Sequence, residues 1–541
     1  MSKGFFKLPN FNCEKVKSYK SDSNELNDVI QEYQRMWDKK REIPMIIGGS
    51  EVHTEKKNNI KVPHNHKHTI GSYSIAKKNH VKDAIKSALD AKKKWEELSW
   101  ENRASIFLKA ADLLSGPFRS KMNASTMISQ SKSFHQAEID AACEMIDFFR
   151  FNVKFMTEIY HDQPESSEKI WNKLEYRPLE GFIYAITPFN FTSIAANLCV
   201  APAMMGNTIV WKPSENQIYS ANIIMDLLKE SGLPDGVINL IYGDPNDITD
   251  EILSSKYFSG LHFTGSTDVF KGLWKKIGNN INKYINYPRI VGETGGKDFI
   301  IAHSSANVNQ VVAGIIRGAF EYQGQKCSAA SRAYISSNLW DEVKDKLISE
   351  LNSIKIGDPI DPKNFMNAVI SEKSFDKIKK YIINAKKDKD VEIIFGGNYS
   401  KKVGFFIEPT VIVSKDPKYV TMTEELFGPV ITIYVYKELN FDSILSLIDE
   451  TSIYALTGAI FSNDRYSIDL ALQKLKNSAG NFYINDKPTG AVVSQQPFGG
   501  SRSSGTNDKA GSKLNLLRWV SPRTIKENFL PASDFRYPFM E

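Results

Sequence analysis

The feature that most constrains the fold is a regular alternation of short apolar strands with helices between residues 181 and 293. GFIYAI predicts a strand, FTSIAANLCVAPAMM a helix, TIVWK a strand and NQIYSANIIMDLLKES a helix, and the pattern continues to PRIVGE. Strands that alternate with helices form βαβ units, whose strands run parallel and whose helices cover the sheet. Because the alternation restarts near Thr294, the chain is predicted to contain two α/β domains.

The segments before this alternation favour helices. VKDAIKSALDAKKKWEEL, RASIFLKAADLLSG and FHQAEIDAACEMIDFFRFNVKFM carry apolar residues at steps of three and four, and the last predicts one long, buried helix. The first sixty residues predict a polar helical extension, with QEYQRMWDKKREI as its main helix.

Charge and hydropathy exclude two classes of partner. A formal charge of +6 over 541 residues is small, and the interspersed charges form no concentrated basic face, which argues against nucleic acid binding. No apolar run approaches the length that crosses a bilayer, so we expect no membrane insertion. The start, MSKGFFKLPNFNCEKVKSYK, is basic but lacks the apolar core of a secretory signal, and as a mitochondrial presequence it is weak.

The chain has four cysteines, and none of them forms a CxxC pair that would indicate a zinc ribbon. Cys143 and Cys199 lie in apolar helical segments, which predicts packed structural thiols. Cys327 lies in EYQGQKCSAASR, which has no apolar periodicity. It is either an incidental loop cysteine or an accessible nucleophile.

The only histidine cluster is HNHKH, with His64, His66 and His68. Alternate spacing could place three imidazoles on one face of a strand, as a metal site requires. No acidic residue or cysteine follows nearby. We therefore favour a solvated loop or strand edge and predict no metal.

Polar residues and tight turns follow the predicted strands. TPFNF follows GFIYAI, PSE follows TIVWK, TGS follows GLHF, and GETGGKDF follows PRIV. Ligands of open parallel sheets gather at the carboxyl ends of the strands, so these segments are candidates for a common site. The usual GxGxxG dinucleotide fingerprint is absent.

Ten motifs from residue 60 to about 525 together resemble the aldehyde dehydrogenase superfamily: PFNF, WKPSE, FTGS, GETGGK, GQKCSAASR, KIGDP, EELFGPV, YALTGAIFSND, GNFYIND and QQPFGGSRSSG. EIDAACEMIDFFRFN, LEGFIYAITPFNFT, FEYQGQKCSA and YINDKPTGAVVSQQPFGG resemble the branch that acts on Δ1-pyrroline-5-carboxylate. The resemblance implies two Rossmann-like parallel-sheet domains plus a small oligomerisation element. It also implies NAD-dependent oxidation of L-glutamate γ-semialdehyde, the open form of that compound, to L-glutamate, the second step of proline catabolism.

For catalysis, the resemblance implies that Cys327 attacks the aldehyde and forms first a thiohemiacetal and then a thioester. The Asn190 side chain and the Cys327 backbone N–H would stabilise the oxyanion. Glu293 would be the general base that releases the acid. The alternatives are a turn residue for Asn190 and a helix-capping or loop carboxylate for Glu293.

For the cofactor, the resemblance implies NAD contacts at Lys212, Ser214, Glu215, Gly265, Ser266, Glu425 and Phe427. A carboxylate at Glu215 would accept hydrogen bonds from the adenosine ribose and repel a 2′-phosphate, which favours NAD over NADP. The alternatives are ordinary surface charge for WKPSE and core packing for Phe427. Many family members carry Gly where this chain has Phe270, which affects the pyrophosphate contact.

For the substrate, the resemblance implies contacts at Phe191, Ser328, Gly490, Ala491 and Phe498, with Glu138 as a candidate for the ammonium. The branch often has Ser at position 491, so one hydroxyl is lost here while the backbone donors remain. The alternatives are core packing for the two phenylalanines and a helix-surface position for Glu138.

We predict four regions. These are a helical extension over 1–60, an NAD-binding domain over 61–294 with an oligomerisation hairpin at 165–180, a catalytic domain over 295–500, and an oligomerisation segment over 501–541. A homodimer is the expected minimum, and the mitochondrial matrix is the location that the family implies, with the cytoplasm as the alternative. Rival functions are another semialdehyde dehydrogenase, for example for succinate semialdehyde, a cysteine thioesterase and an inactive scaffold.

Overall fold

Two large, mostly parallel sheets organise the molecule. The computed structural model describes residue 4 and residues 6–540. In spatial order the first sheet contains seven strands: Arg289–Glu293, Phe258–Thr264, Phe182–Thr187, Ile209–Pro213, Ile238–Leu240, Met45–Ile47 and Ser50–Val52. The first five run parallel, and Met45–Ile47 is antiparallel to both of its neighbours, Ile238–Leu240 and Ser50–Val52.

The second sheet also has seven strands. In spatial order they are Val391–Phe395, Thr410–Ser414, Val430–Tyr436, Ala330–Ser336, Asp298–Ala302, Thr457–Phe461 and Asn481–Ile484. The strand Val391–Phe395 is antiparallel to its neighbour and the other pairs are parallel. The two mostly parallel sheets confirm the predicted α/β fold class.

Helices cover both sheets. In the described part of the chain the α-helices are Asn24–Asp38, Lys78–Glu97, Trp100–Ser115, Arg119–Gln130, Phe134–Ala137, Met145–His161, Thr192–Met204, Ile218–Ser231, Pro245–Ser254, Thr267–Asn279, Val308–Phe320, Ser337–Ser353, Glu372–Lys387, Val420–Thr423, Phe441–Thr451, Arg465–Lys474 and Lys513–Leu517. The helix Thr192–Met204 is buried along nearly its whole length, because it lies between the first sheet and the helix Met145–His161. Within the described residues, no helix combines the length and apolar character needed to span a membrane.

The N-terminal prediction is only partly right. A helix does form at Asn24–Asp38, where Ser23 caps the first turn through its hydroxyl. Residues 41–62 are not helical, however. The strand Lys57–Val62 pairs with Asn65–Ser74, which in turn pairs with Arg41–Ile43. Partners distant in sequence supply these backbone hydrogen bonds, so local periodicity did not indicate them.

The long helix predicted around residue 140 is interrupted. The chain forms a π-helix at Glu138–Glu144, between the α-helices Phe134–Ala137 and Met145–His161. A π-turn inserts a residue and rotates the side chains that follow, and such turns are frequent at functional sites. Asp140 in this turn accepts hydrogen bonds from the backbone N–H groups of Thr192 and Ser193, and so caps a neighbouring helix.

Three smaller two-stranded ribbons complete the fold. They are Ile170–Pro178 with Val520–Asn528, Tyr399–Ser400 with Phe406–Ile407, and Tyr454–Ala455 with Ser501–Arg502. The first joins the segment predicted as a hairpin to the C-terminal segment. The strand Val520–Asn528 is mostly solvent-exposed, and Ile170–Pro178 is mostly half-buried.

Candidate active site

The carboxyl edge of the first sheet presents three polar turns at one place. Glu293 ends its strand directly beside Thr264, its partner in the neighbouring strand. The next two strands end together at Thr187 and Pro213. The turns that carry FTGS, PFNF and WKPSE therefore start side by side, as the carboxyl-end rule predicts.

The second sheet contributes to the site through its opposite edge. Asp298 begins its strand beside Ala330, which begins the next one, and Val430 begins the strand after that. Cys327 and Glu425 each lie a few residues before one of these strands. The second sheet therefore supplies its residues from the amino ends of its strands, which the carboxyl-end rule did not predict.

The loop before Cys327 has an unusual backbone. Tyr322, Gln323 and Gly324 adopt φ of 50°, 56° and 65° in succession. Non-glycine residues in this left-handed region cost free energy and are held by their surroundings. Here Gln323 is buried, donates to the carbonyls of Ser131 and Ala368, and accepts from the N–H of Asn367. These bonds lock the loop that positions the thiol.

The two edges also touch directly through GETGGK. A Cβ on Gly296 would lie 2.1 Å from the backbone oxygen of Cys327, and one on Gly295 would lie 2.6 Å from the carboxylate of Glu425. The N–H of Gly296 donates to Glu425 at 2.9 Å. Both glycines therefore permit a close approach that any side chain would block.

A cavity of about 310 Å³ opens at this junction. Its volume falls within the usual range for small-molecule sites. Seven of the predicted residues line it: Phe191, Glu293, Cys327, Ser328, Gly490, Ala491 and Phe498. The structure thus brings the candidate nucleophile, base and substrate contacts into one space.

Burial raises the pKa of both Cys327 and Glu293. Burial and the nearby carboxylates of Glu293 and Asp298 raise the pKa of Cys327 well above its ordinary value. Burial and the charge of Asp508 raise the pKa of Glu293 to about 8, and Lys509 opposes this shift. At neutral pH the free protein therefore holds a neutral thiol beside a largely neutral carboxyl group.

Asn190 lies in the turn after Phe182–Thr187 and is buried. Its Nδ2 donates to the carbonyl of Gln325, two residues before Cys327, at 3.1 Å. The amide, at the edge of the first sheet, therefore contacts the cysteine loop at the edge of the second.

Neighbouring side chains hold several of the residues that were predicted to contact the substrate. The hydroxyls of Ser328 and Thr489 share a hydrogen bond of 2.8 Å. Gly490 adopts φ of 98°, which favours glycine. The buried ammonium of Lys132 lies 4.3 Å from the centre of the Phe191 ring and bonds Asp140 at 2.6 Å, which holds that ring in place.

The residues of the WKPSE turn fit a ribose. Lys212 is buried, and burial lowers the pKa of its ammonium. Ser214 is half-buried and Glu215 exposed at the mouth of the same turn. Thr264, just before Gly265, has a buried hydroxyl oxygen for which no hydrogen-bond partner is found among the described residues. A buried cation, an exposed carboxylate and an unpaired hydroxyl suit a ligand rich in hydroxyls and phosphates, so the residues fit NAD.

The FTGS turn is open at Gly265 and Ser266, and Ser266 caps the helix Thr267–Asn279. Phe270, which departs from the family pattern, is buried. Its ring stacks on Phe263 with centroids 5.3 Å apart and covers Gly292, where a Cβ would clash with it. The change from Gly therefore fills the core and leaves the start of the helix exposed.

Phe427 adopts φ of 61°, and its ring packs edge-on against Phe189 with centroids 5.8 Å apart. Phe427 therefore connects the EELFGPV turn with the PFNF turn.

The interpretation of Glu138 requires correction. It is fully buried, neither on the helix surface nor on the cavity wall. Its carboxylate accepts hydrogen bonds from Arg119, Asn123, the hydroxyl of Tyr19 and the N–H of Lys17. It is thus occupied within the protein and unavailable to a substrate ammonium.

Five charged residues that the sequence motifs did not identify also line the cavity: Glu14, Glu144, Asp147, Lys326 and Lys487. Burial and the carboxylate of Asp140 raise the pKa of Glu144 to about 8. Burial likewise raises the pKa of Asp147 to about 6. Lys326 bonds Glu321 at 2.9 Å. The three-residue step from Glu144 to Asp147 was the available signal, but the π-turn that rotates them was not foreseeable.

The histidine cluster is not a solvated edge throughout. His64 is buried and bonds the hydroxyl of Tyr33 at 2.7 Å, and burial lowers the pKa of its imidazole to about 3. His68 stacks on Trp37 with ring centres 4.0 Å apart. No group of three metal-ligating side chains is found in the described part of the chain. Cys143 and Cys199 are buried, as predicted, although Cys143 also borders the cavity.

Comparison with known proteins agrees with this geometry. The model of the aldehyde dehydrogenase family matches residues 52–525. The chain is 52% identical over 502 residues to the Dictyostelium discoideum mitochondrial delta-1-pyrroline-5-carboxylate dehydrogenase, covering 92% of this chain and 90% of that protein. The human mitochondrial enzyme of the same name is 46% identical over 500 residues, covering 92% and 89%.

Among solved structures, the Mycobacterium tuberculosis delta-pyrroline-5-carboxylate dehydrogenase bound with NAD superimposes with a TM-score of 0.97. The two sequences are 47% identical, and the alignment covers all of both chains. The family match extends over most of the chain and includes every turn described above. This chain belongs to the aldehyde dehydrogenase family.

Proposed function

We propose that this enzyme oxidises L-glutamate γ-semialdehyde to L-glutamate with NAD as the hydride acceptor, the second step of proline catabolism. The observation that carries the proposal is the single cavity that Cys327 and Glu293 share with charged groups of both signs. The names of the relatives and the NAD-bound neighbour support the same reaction.

The sulfur of Cys327 forms a bond to the aldehyde carbon, and the carbonyl oxygen becomes an oxyanion. The thiol proton must first pass to water, and the raised pKa of Cys327 opposes this in the free protein. A positive charge bound nearby would lower that pKa. The Asn190 amide and the Cys327 backbone N–H are the donors proposed for the oxyanion.

NAD in this site would supply the hydride acceptor, and the aldehyde carbon, having lost its hydride, becomes a thioester on Cys327. Lys212, Ser214 and Glu215 are proposed to hold the adenosine ribose. Gly265 and Ser266 would meet the pyrophosphate at the start of their helix. Glu425 and Phe427 are proposed to place the nicotinamide ribose.

Water then attacks the thioester carbon, the carbon–sulfur bond breaks, and the acid leaves. Glu293 is proposed to take the proton of this water. Its pKa of about 8 makes it a base of useful strength just above neutral pH.

The head of the substrate carries a carboxylate and an ammonium. We propose that Ser328, Lys326 and the backbone of Gly490 and Ala491 bind the carboxylate, while Glu144 receives the ammonium in place of Glu138. An approaching cation would favour the ionised form of Glu144, whose pKa burial otherwise raises. Phe191 and Phe498 would flank the apolar chain between head and aldehyde.

The decisive test compares L-glutamate γ-semialdehyde with glutarate semialdehyde, which lacks only the amino group, and with succinate semialdehyde. NADH formation is measured for each. A site built for the ammonium should prefer the first compound by at least about 100-fold in kcat/KM, because its absence leaves buried polar groups unpaired. Equal values would reject the substrate and keep the aldehyde dehydrogenase chemistry.

We also propose that the enzyme is at least a homodimer, assembled through the ribbon of Ile170–Pro178 with Val520–Asn528 and the tail beyond it. The tail exposes large apolar side chains, at Phe529, Leu530, Phe535, Tyr537 and Phe539. Such a patch supports a protein partner. The double substitution Phe535→Ser and Phe539→Ser should shift the mass in solution towards the monomer, and an unchanged mass would reject this interface.

For location we propose the mitochondrial matrix; the names of the two relatives include the word mitochondrial, which supports the organelle. Fractionation with protease protection in cells that express the full chain tests this. Recovery in the cytosol would reject it.

A further inference from the structure

Residues 11–19, called the N-terminal strap here, form neither helix nor strand but make many specific contacts. Three of them, Cys13, Glu14 and Val16, line the same cavity as Cys327. A segment more than 300 positions away in sequence thus forms part of the wall around the candidate nucleophile.

One end of the N-terminal strap contacts the loop that contains Val493 and Gln495. Phe11 packs edge-on against Phe151 with ring centres 6.4 Å apart, in an apolar cluster that includes Val493. Cys13 meets the carbonyl of Val493 at 3.9 Å and accepts from Gln495 Nε2 at 3.3 Å. This loop also carries Gly490 and Ala491.

The middle of the strap binds the helix Met145–His161. The N–H of Glu14 donates to Asp147 at 2.8 Å. The Glu14 carboxylate accepts from Arg119 and Arg150, each at 2.7 Å. Two guanidinium groups on one carboxylate make this attachment strong.

The other end is fixed to the π-helix through Glu138. The N–H of Lys17 donates to Glu138 at 2.8 Å and the Tyr19 hydroxyl at 2.7 Å. Arg119 bonds both Glu138 and the carbonyl of Lys15. Burial disfavours the ionised form of Glu138, but its bonds to Arg119 and the strap leave its pKa below the ordinary value.

We propose that the N-terminal strap is a specificity element that closes the cavity and limits the length of the aldehyde that the enzyme accepts. Its two ends join the loop proposed for the carboxylate to the π-helix that carries Glu144. The proposal rests on the proposed function for the identity of the substrate head. It does not depend on it for the limit on aldehyde length.

Val16 is the position at which to test this. Its side chain is 50% exposed and lines the cavity, so changing its size alters the available space without disrupting a packed core. Val403 is a matched control, because it is 56% exposed and lies outside the cavity lining.

The experiment measures kcat/KM for propanal, octanal and L-glutamate γ-semialdehyde in the wild type, Val16→Phe, Val16→Gly and Val403→Phe. We expect Val16→Phe to lower the octanal-to-propanal ratio by about tenfold, and Val16→Gly to raise it, since one or a few carbons in a pocket change rates on this scale. Val403→Phe should match the wild type. Equal ratios in all four proteins would overturn the proposal.

The three substrates separate the two ideas. The wild type could show no preference for L-glutamate γ-semialdehyde while the Val16 variants change the octanal-to-propanal ratio. This result would reject the proposed substrate and support the role of the strap. Suppose instead that the wild type prefers L-glutamate γ-semialdehyde, and that its KM and the octanal-to-propanal ratio stay the same in the Val16 variants. This result would support the proposed substrate and reject the role of the strap.

Discussion

The two seven-stranded sheets meet the same cavity with opposite ends. The first presents the carboxyl ends of its strands, at Thr187, Pro213, Thr264 and Glu293. The second presents its amino ends, and Cys327 lies three residues before its central strand Ala330–Ser336. The rule that ligands bind at the carboxyl ends of parallel strands therefore predicts the part of the site that the first sheet supplies. It does not predict the part that the second sheet supplies, because that part lies at the amino ends of the strands.

The two edges supply different chemical groups to the reaction. The amino edge of the second sheet supplies the thiol, and the carboxyl edge of the first supplies the candidate base and oxyanion donor. Substitution of the thiol on the second edge and of the base on the first should therefore stop the reaction at different steps. The predictions below run from the largest expected effect to the smallest.

Cys327→Ala should abolish NADH formation, with a loss on the order of 10⁴-fold or more, because no other group on the second sheet edge replaces the sulfur as nucleophile. The assay is NADH formation with L-glutamate γ-semialdehyde. Cys199→Ala, a buried cysteine outside the cavity lining, is the control and should stay active. Substantial turnover by Cys327→Ala would remove the thiol from the reaction.

Glu293→Gln should lower kcat by about 10²- to 10⁴-fold, the usual contribution of a general base. Only the ionised carboxylate accepts a proton, and its pKa is raised to about 8. The wild-type rate should therefore rise with pH through about 8 when hydrolysis of the thioester limits turnover, and Glu293→Gln should lose this rise. Glu180→Gln, at an exposed residue of the same domain, should keep the wild-type profile. A pH profile shared by all three proteins would assign the titration to another group.

Asn190→Ala should lower kcat by about 10²- to 10³-fold with a smaller change in KM, because an oxyanion donor acts on the transition state. Asn190→Asp keeps the shape of the side chain but removes the N–H donors, and it should be equally impaired. Wild-type rates in the aspartate variant would indicate that Asn190 only shapes its turn.

Glu138→Gln should lower stability by about 3 kcal/mol, because it leaves the buried guanidinium of Arg119 less well paired. The lowered pKa of Glu138 means that its stabilisation is present above the ordinary pKa of 4.5 and is lost as the pH falls through the folded value. The wild type and the variant should therefore converge in denaturant unfolding at acid pH. Glu32→Gln, in an exposed pair with Arg35, is the control and should change little at any pH.

Much of the first domain was predictable from sequence. The strands Phe182–Thr187, Ile209–Pro213 and Phe258–Thr264 are short apolar runs, and the helices between them begin and end near the expected residues. Their backbone bonds and burial follow a local, regular pattern. The family motifs then added Cys327, whose position at an amino end no periodicity indicated.

The parts that escaped prediction depend on contacts between distant residues. The π-turn at Glu138–Glu144 exists where buried carboxylates meet Arg119, Lys132 and the helix beginning at Thr192. Without knowledge of that turn, the sequence indicated Glu138 as the partner for an ammonium and gave no reason to select Glu144. The strap at residues 11–19 has no periodicity at all, because its hydrogen bonds go to other segments.

The most direct test of the shared site is a pre-steady-state reaction of Glu293→Gln with an excess of NAD and L-glutamate γ-semialdehyde. This variant separates the two steps of the reaction. Cys327 can still form the thioester, but the base that activates water for its hydrolysis is missing. We predict a burst of about one NADH per subunit, followed by very slow turnover, with the acyl group found by mass spectrometry on Cys327. A reaction without a burst, or an acyl group on another residue, would contradict the account.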